Sequence, residues 1–133
     1  MAMSPKEKQR LIASWLTLQS THTASSGRDL SWVVQKVWDL CDDAPNEAFQ
    51  FIVGVLEQDG SSRTMAILSA GPFEALLRKH GPRIIDRVER KARHDPQFVR
   101  LLEHVWKNSV SDRIWIRVQR ARDRPRLRTA HEA

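Results

Sequence analysis

Apolar residues recur along this chain at steps of three and four, and punctuation by proline, glycine, serine and aspartate divides them into short segments. That period is the signature of helices with one buried stripe. Leu11, Ile12, Trp15 and Leu16 form the first stripe. Ser4, Pro5 and Glu7 stand ahead of it as a helix start: an N-cap serine, a proline in the first turn and a glutamate placed to complete a capping box. A polar stretch rich in serine and threonine, Thr21 to Asp29 with Gly27, follows and reads as a mobile loop. A second helix is expected from about Leu30 to Asp42, with Val33, Val34, Val37, Trp38 and Cys41 inside.

Asp42-Asp43-Ala44-Pro45 reads as the opening of a third helix, where acids suit the positive end of the dipole. It carries Phe49, Ile52, Val53 and Leu56. Asp59-Gly60-Ser61-Ser62 ends it and starts a fourth, about 62–69, with Met65, Ile67 and Leu68. Ala70-Gly71-Pro72 then opens a fifth, 72–80, which His80-Gly81 closes with glycine in the left-handed cap position. Pro82 restarts the chain at once into a sixth helix with Ile84, Ile85 and Val88. Asp95-Pro96 opens a seventh with Phe98, Leu101, Leu102, Val105 and Trp106, and Ser111-Asp112 opens an eighth with Ile114, Trp115 and Val118. Alternating strand patterns are hard to find, and there is no tyrosine.

The fold expected is all-α: a compact array of about eight short helices in antiparallel pairs, with HEAT-like stacking as one form of it. At 133 residues the chain fits one domain able to bury a core. The expected division is a single helical domain over 1–118 and a basic, flexible tail over 119–133. No apolar run approaches a membrane span, and the start has no signal-peptide core. A cytoplasmic location away from the membrane is expected. One cysteine excludes an internal disulfide framework and fits a reducing compartment.

Charge is unevenly placed. The whole chain carries +6. Residues 113–133 hold seven arginines against Asp123 and Glu132, a net of +5, so residues 1–112 are only +1. Within that body residues 29–62 have a net of −6 and residues 78–93 a net of +5. The picture is a dipolar body with a basic tail, not a uniformly basic protein.

The chemistry-bearing residues read mostly as structural. His22, His80, His94, His104 and His131 make no ligand spacing, and no phosphate-loop glycine pattern occurs. His80 and His94 suit the last turns of helices. Cys41 shares an apolar stripe, and its acidic neighbours would raise a thiol pKa. No enzyme, cofactor or metal is expected. A small hydrolase would need distant histidines and acids to meet in one pocket.

Three surfaces remain. Arg83, Arg87, Arg90 and His94 share one face of the sixth helix, which either grips an acidic partner or is laced locally by Asp86–Arg90 and Glu89–Arg93 pairs. Trp32 beside Asp39, Asp42 and Asp43 forms an acidic face with an aromatic anchor for a protein partner. Arg120, Arg122, Arg124, Arg126 and Arg128 form an arginine-rich segment able to bind nucleic acid, though without interleaved aromatics. Trp38, Trp106 and Trp115 are expected in the core; Trp15 and Trp32 are left open between core and surface. Self-association through an uncovered apolar edge is a further expectation.

Val37-Trp38-Asp39-Leu40, Ala70-Gly71-Pro72 with Glu74, Leu76-Leu77, His80-Gly81, Ile85-Asp86-Arg87 with Glu89, Val105-Trp106 and Trp115 together resemble a family of small bacterial proteins, a helical domain of unknown function. The resemblance covers about residues 30–118, and Ala-Gly-Pro through His-Gly to Ile-Asp-Arg is its most specific part. It implies the helical fold and a bacterial source. It implies no catalytic residue, cofactor or substrate. The leading functional expectation is a non-catalytic protein-binding module that neutralises or escorts a partner. Nucleic-acid binding through helix 82–94 and the tail is the alternative.

Overall fold

Ser4 and Glu7 form the expected capping box: the Glu7 backbone N–H donates to Ser4 Oγ at 3.1 Å, and the Ser4 N–H donates to Glu7 Oε1 at 2.8 Å. The computed structural model describes residues 3–20 and 31–123. Seven helices and no strand occur among them: α1 (Pro5–Ser20), α2 (Ser31–Asp43), α3 (Pro45–Gln58), α4 (Ser62–Ala70), α5 (Pro72–His94), α6 (Pro96–Glu103) and α7 (Asp112–Asp123). The expected loop from Thr21 to Asp29 lies outside the described residues.

Three of the connections are a single residue each, and in two of them that residue serves two helices. Gly71 ends α4 and begins α5, whose first residue is Pro72. Asp95 ends α5 and caps α6, its carboxylate accepting the Gln97 N–H at 2.9 Å. Ala44 alone joins α2 to α3, and Pro45 at the first helical position fixes the turn without a side-chain cap. The longer turn between α3 and α4 is built by Asp59. Its carboxylate accepts the Ser61 N–H at 3.0 Å and the Thr64 hydroxyl at 2.8 Å, which hold it below the usual carboxylate range.

The helices expected over 72–80 and from Pro82 onward are one 23-residue element, so seven helices stand where eight were read. Pro82 removes a backbone donor and crowds the preceding turn. The chain answers with a kink at His80 (φ −131°, ψ 25°), not a full stop. Gly81 does not take the expected left-handed backbone. It stays within α5 and is buried against Ile114 of α7.

α5 runs through the middle and packs against α2, α3, α4, α6 and α7, while α1 packs on α2 and α3. Its Phe73, Leu76, Leu77, Ile84, Ile85 and Val88 are essentially inaccessible. Each such side chain contributes about 1.5–3 kcal/mol when buried. Phe98 of α6 stands edge-on to both Phe49 of α3 and Phe73 of α5, with centroids 5.8 and 5.9 Å apart. Among the described residues no buried side-chain nitrogen or oxygen lacks a hydrogen-bond partner. None of their helices is long and apolar enough to cross a membrane.

Candidate functional site: a basic cleft on one side of the helical array

The arginine face expected on helix 82–94 lies on the second half of α5. Its acids do not neutralise it. Asp86 and Glu89 turn toward α7 and both bind Arg117: the guanidinium reaches Asp86 Oδ1 at 2.7 Å and the two oxygens of Glu89 at 2.6 and 2.8 Å. The fork geometry of the guanidinium suits this double grip better than a local lysine-like pair. The carboxyl of Glu89 is held below its ordinary range by Arg117, against a smaller opposing effect of burial. The Arg117 guanidinium is correspondingly more basic. The expected Asp86–Arg90 and Glu89–Arg93 ion pairs are absent among the described residues.

Of the two arginines thus left without those acids, Arg90 faces a cleft between α5, α3 and α1, and Arg93 does not line it. Two adjoining hollows, of about 260 and 270 Å³, share Phe49, Arg87 and Lys91. Lys8 and Val53 line one of them, and Arg90 and His94 the other. Arg87 is fixed in place: its guanidinium lies 4.7 Å from the Phe49 ring centroid and donates to Asn46 Oδ1 at 3.1 Å. Lys91 reaches Asp95 at 3.4 Å. The side chains of Arg90 and His94 and the Lys8 ammonium make no hydrogen bond or ion pair among the described residues. Glu57 is the one acid in the lining. Arg83 is exposed one turn before Arg87 and does not line either hollow.

The second expected surface, the acidic face, sits on α2, but its acids are placed differently. Asp42 and Asp43 belong to the last turn of α2 and do not open α3. Acids at a helix C-terminus oppose its dipole. Lys79 forms an ion pair with Asp42, and His80 Nε2 donates to the Asp42 carbonyl at 2.8 Å. His80 thus closes the end of another helix, not its own. Asp39 accepts from Gln35 at 2.8 Å, and Asp43 has no partner among the described residues. Trp32, Val34 and Trp38 are exposed to 36, 44 and 39%. Arg10 of α1 lies over Trp32, 4.7 Å from its centroid.

Several expectations about the core are corrected here. Trp38 and Trp106 are exposed, Trp106 to 74%, and Val34 points outward. Trp115 is only partly buried, packed at the edge of the core. Trp15 is buried, 6.0 Å from Phe51 in an edge-on pair. Cys41 is buried as expected. Its Sγ–H donates to the Pro72 carbonyl at 3.5 Å, and burial, with help from Asp42, pushes the thiol up to about 12. Arg120 and Arg122 are helical, since α7 runs on to Asp123, and Arg122 pairs with Asp123 at 2.9 Å. Arg124, Arg126 and Arg128 lie outside the described residues, as do His22 and His131. No group of three or more histidine, cysteine or acidic residues placed to hold a metal ion occurs among the described residues.

The sequence pattern did not reveal that Phe49, Lys8 and Lys91 belong to one site. Phe49 reads as core, and it is; only its position beneath Arg87 makes it a floor. Lys8 lies on a helix remote in sequence, and nothing local ties it to α5.

A family model described as a family of unknown function, DUF6869, matches residues 20–126, and the chain belongs to that family. No curated protein and no solved structure matches the chain.

Proposed function

We propose that this member of the DUF6869 family is a non-catalytic binding module of the bacterial cytoplasm that takes an acidic segment of a partner protein into the cleft between α1, α3 and α5. One observation carries the reading: Arg117 engages Asp86 and Glu89 of α5, so the Arg90 guanidinium faces the cleft with no ion pair among the described residues. An acidic segment with one apolar residue matches that lining. Carboxylates meet Lys8, Arg90 and Lys91, and the apolar group packs against Val53. The guanidinium of Arg87 is already oriented, so less side-chain freedom is lost on binding. Such a module acts by occupancy, neutralising or escorting its partner.

The test is fluorescence anisotropy with labelled acidic peptides carrying a central leucine or phenylalanine. Binding is expected at low ionic strength and is expected to weaken as salt rises. Arg90→Glu should reduce affinity about tenfold or more. No binding of any acidic peptide at low salt sinks the reading. A clear preference for an RNA or DNA strand of equal charge would favour nucleic acid instead. Phe49 argues against that outcome, because Arg87 covers the ring a base would stack on.

A further inference from the structure

We infer that the acidic segment suited to this cleft is carried by a second copy of the same chain, on the outward face of α2. The inference rests on reading the cleft as a seat for acidic protein segments. Trp32, Asp39 and Asp43 stand seven and four residues apart, so they line one face of α2 over about 16 Å. All three are exposed. That face combines carboxylates with the exposed part of Trp32, whose ring Arg10 of α1 overlies on one side. The complementarity extends to the exceptions. Lys36, four residues after Trp32 on the same stripe, and Arg10 over Trp32 are cations at this face, and Glu57 is the one acid lining the cleft. No residue belongs to both surfaces, so one copy can offer its α2 while its own cleft is filled. A contact between two different surfaces is head-to-tail and extends beyond a dimer unless a ring closes.

Sedimentation velocity and light scattering on the full chain test this. The mass expected at low ionic strength lies above the 15.4 kDa of one chain and rises with concentration. It should return to one chain in about 0.5 M salt, where exposed charges are screened. Lys8→Glu with Arg90→Glu, and separately Asp39→Lys with Asp43→Lys, should each give monomers. Neither pair removes an ion pair found among the described residues, and lysines at the end of α2 suit its dipole. The two variants mixed should associate one to one, because the first keeps its acidic α2 and the second its basic cleft. A wild-type mass of one chain at low salt overturns the inference, as does self-association that either double variant retains. The peptide titration separates the two ideas. Peptide binding without self-association removes only the second copy as occupant; failure of both removes the cleft as a protein-binding site.

Discussion

Gly81 of α5 lies so close to Ile114 of α7 that a Cβ there would meet Ile114 Cγ1 at 2.7 Å and Cδ1 at 3.1 Å. The contacting atoms sit near the stiff end of a β-branched side chain, which has little freedom to turn away. Gly81→Ala should therefore destabilise the fold by about 1–3 kcal/mol through overpacking, although alanine is the better helix former. Ile114→Ala alone should cost about 2–5 kcal/mol. The double variant should cost less than the sum, with a coupling above about 0.5 kcal/mol. Chemical denaturation of the four proteins checks this; strict additivity would mean that Gly81 is not where α7 seats.

Arg117 ties α7 to α5 and keeps two acids away from the cleft, so its removal has two expected effects. Arg117→Met should lower stability by about 1 kcal/mol, a modest figure because the groups are partly exposed to solvent. The depressed Glu89 pKa fixes the pH dependence. Its contribution is full above the ordinary glutamate range and is lost as pH falls through the lowered folded value. The stability difference between wild type and Arg117→Met should be largest near neutrality and shrink below about pH 5. At neutral pH the same variant should bind acidic peptides several-fold more weakly, since Asp86 and Glu89 are then free to turn to Arg90 and Arg93. Unchanged peptide affinity would show that these acids do not govern the cleft.

Most of the fold was legible in the sequence because its determinants are local. Caps, prolines and three–four spacing act within one turn, and Ser4, Ser61, Pro72 and Asp95 stand where those rules place them. The join at His80 was not legible. Whether a proline ends a helix or only kinks it depends on packing, and here Gly81 against Ile114 keeps the two halves in line. The site was half legible. The arginine spacing on α5 gave the face, but local i,i+4 pairing competes with tertiary pairing, and the fork of Arg117 is remote in sequence. Asp42 and Asp43 were misplaced for a related reason: with only Ala44 between two helices, acids next to Pro45 can belong to either.

The tryptophans give a direct contrast. Trp15 is buried against Phe51, whereas Trp106 stands in the connection after α6 and is mostly exposed. Trp15→Ala should cost about 3–5 kcal/mol, and Trp106→Ala should stay within about 0.5 kcal/mol of wild type. Acrylamide quenching should weaken in Trp106→Phe, which removes the most exposed indole of the described residues. A large stability loss for Trp106→Ala in thermal denaturation would place that ring in the core after all.

Cys41 should report on opening of the α2–α5 interface. Its thiol is buried, donates to the Pro72 carbonyl and is pushed up to about 12 by loss of solvent and by neighbouring Asp42. The thiolate is the reactive species, so a raised pKa cuts the fraction able to react and slows alkylation, only partly offset by the greater nucleophilicity of a more basic thiolate, before access is counted. Native protein at pH 8 should accordingly react with iodoacetamide far more slowly than the chain in denaturant. Residual labelling should follow opening of this interface, and a variant that loosens α5, such as Gly81→Ala, should speed it. Stopped-time labelling read by mass spectrometry gives both rates. Native labelling as fast as that of the unfolded chain would mean that α2 does not hold Cys41 against the start of α5.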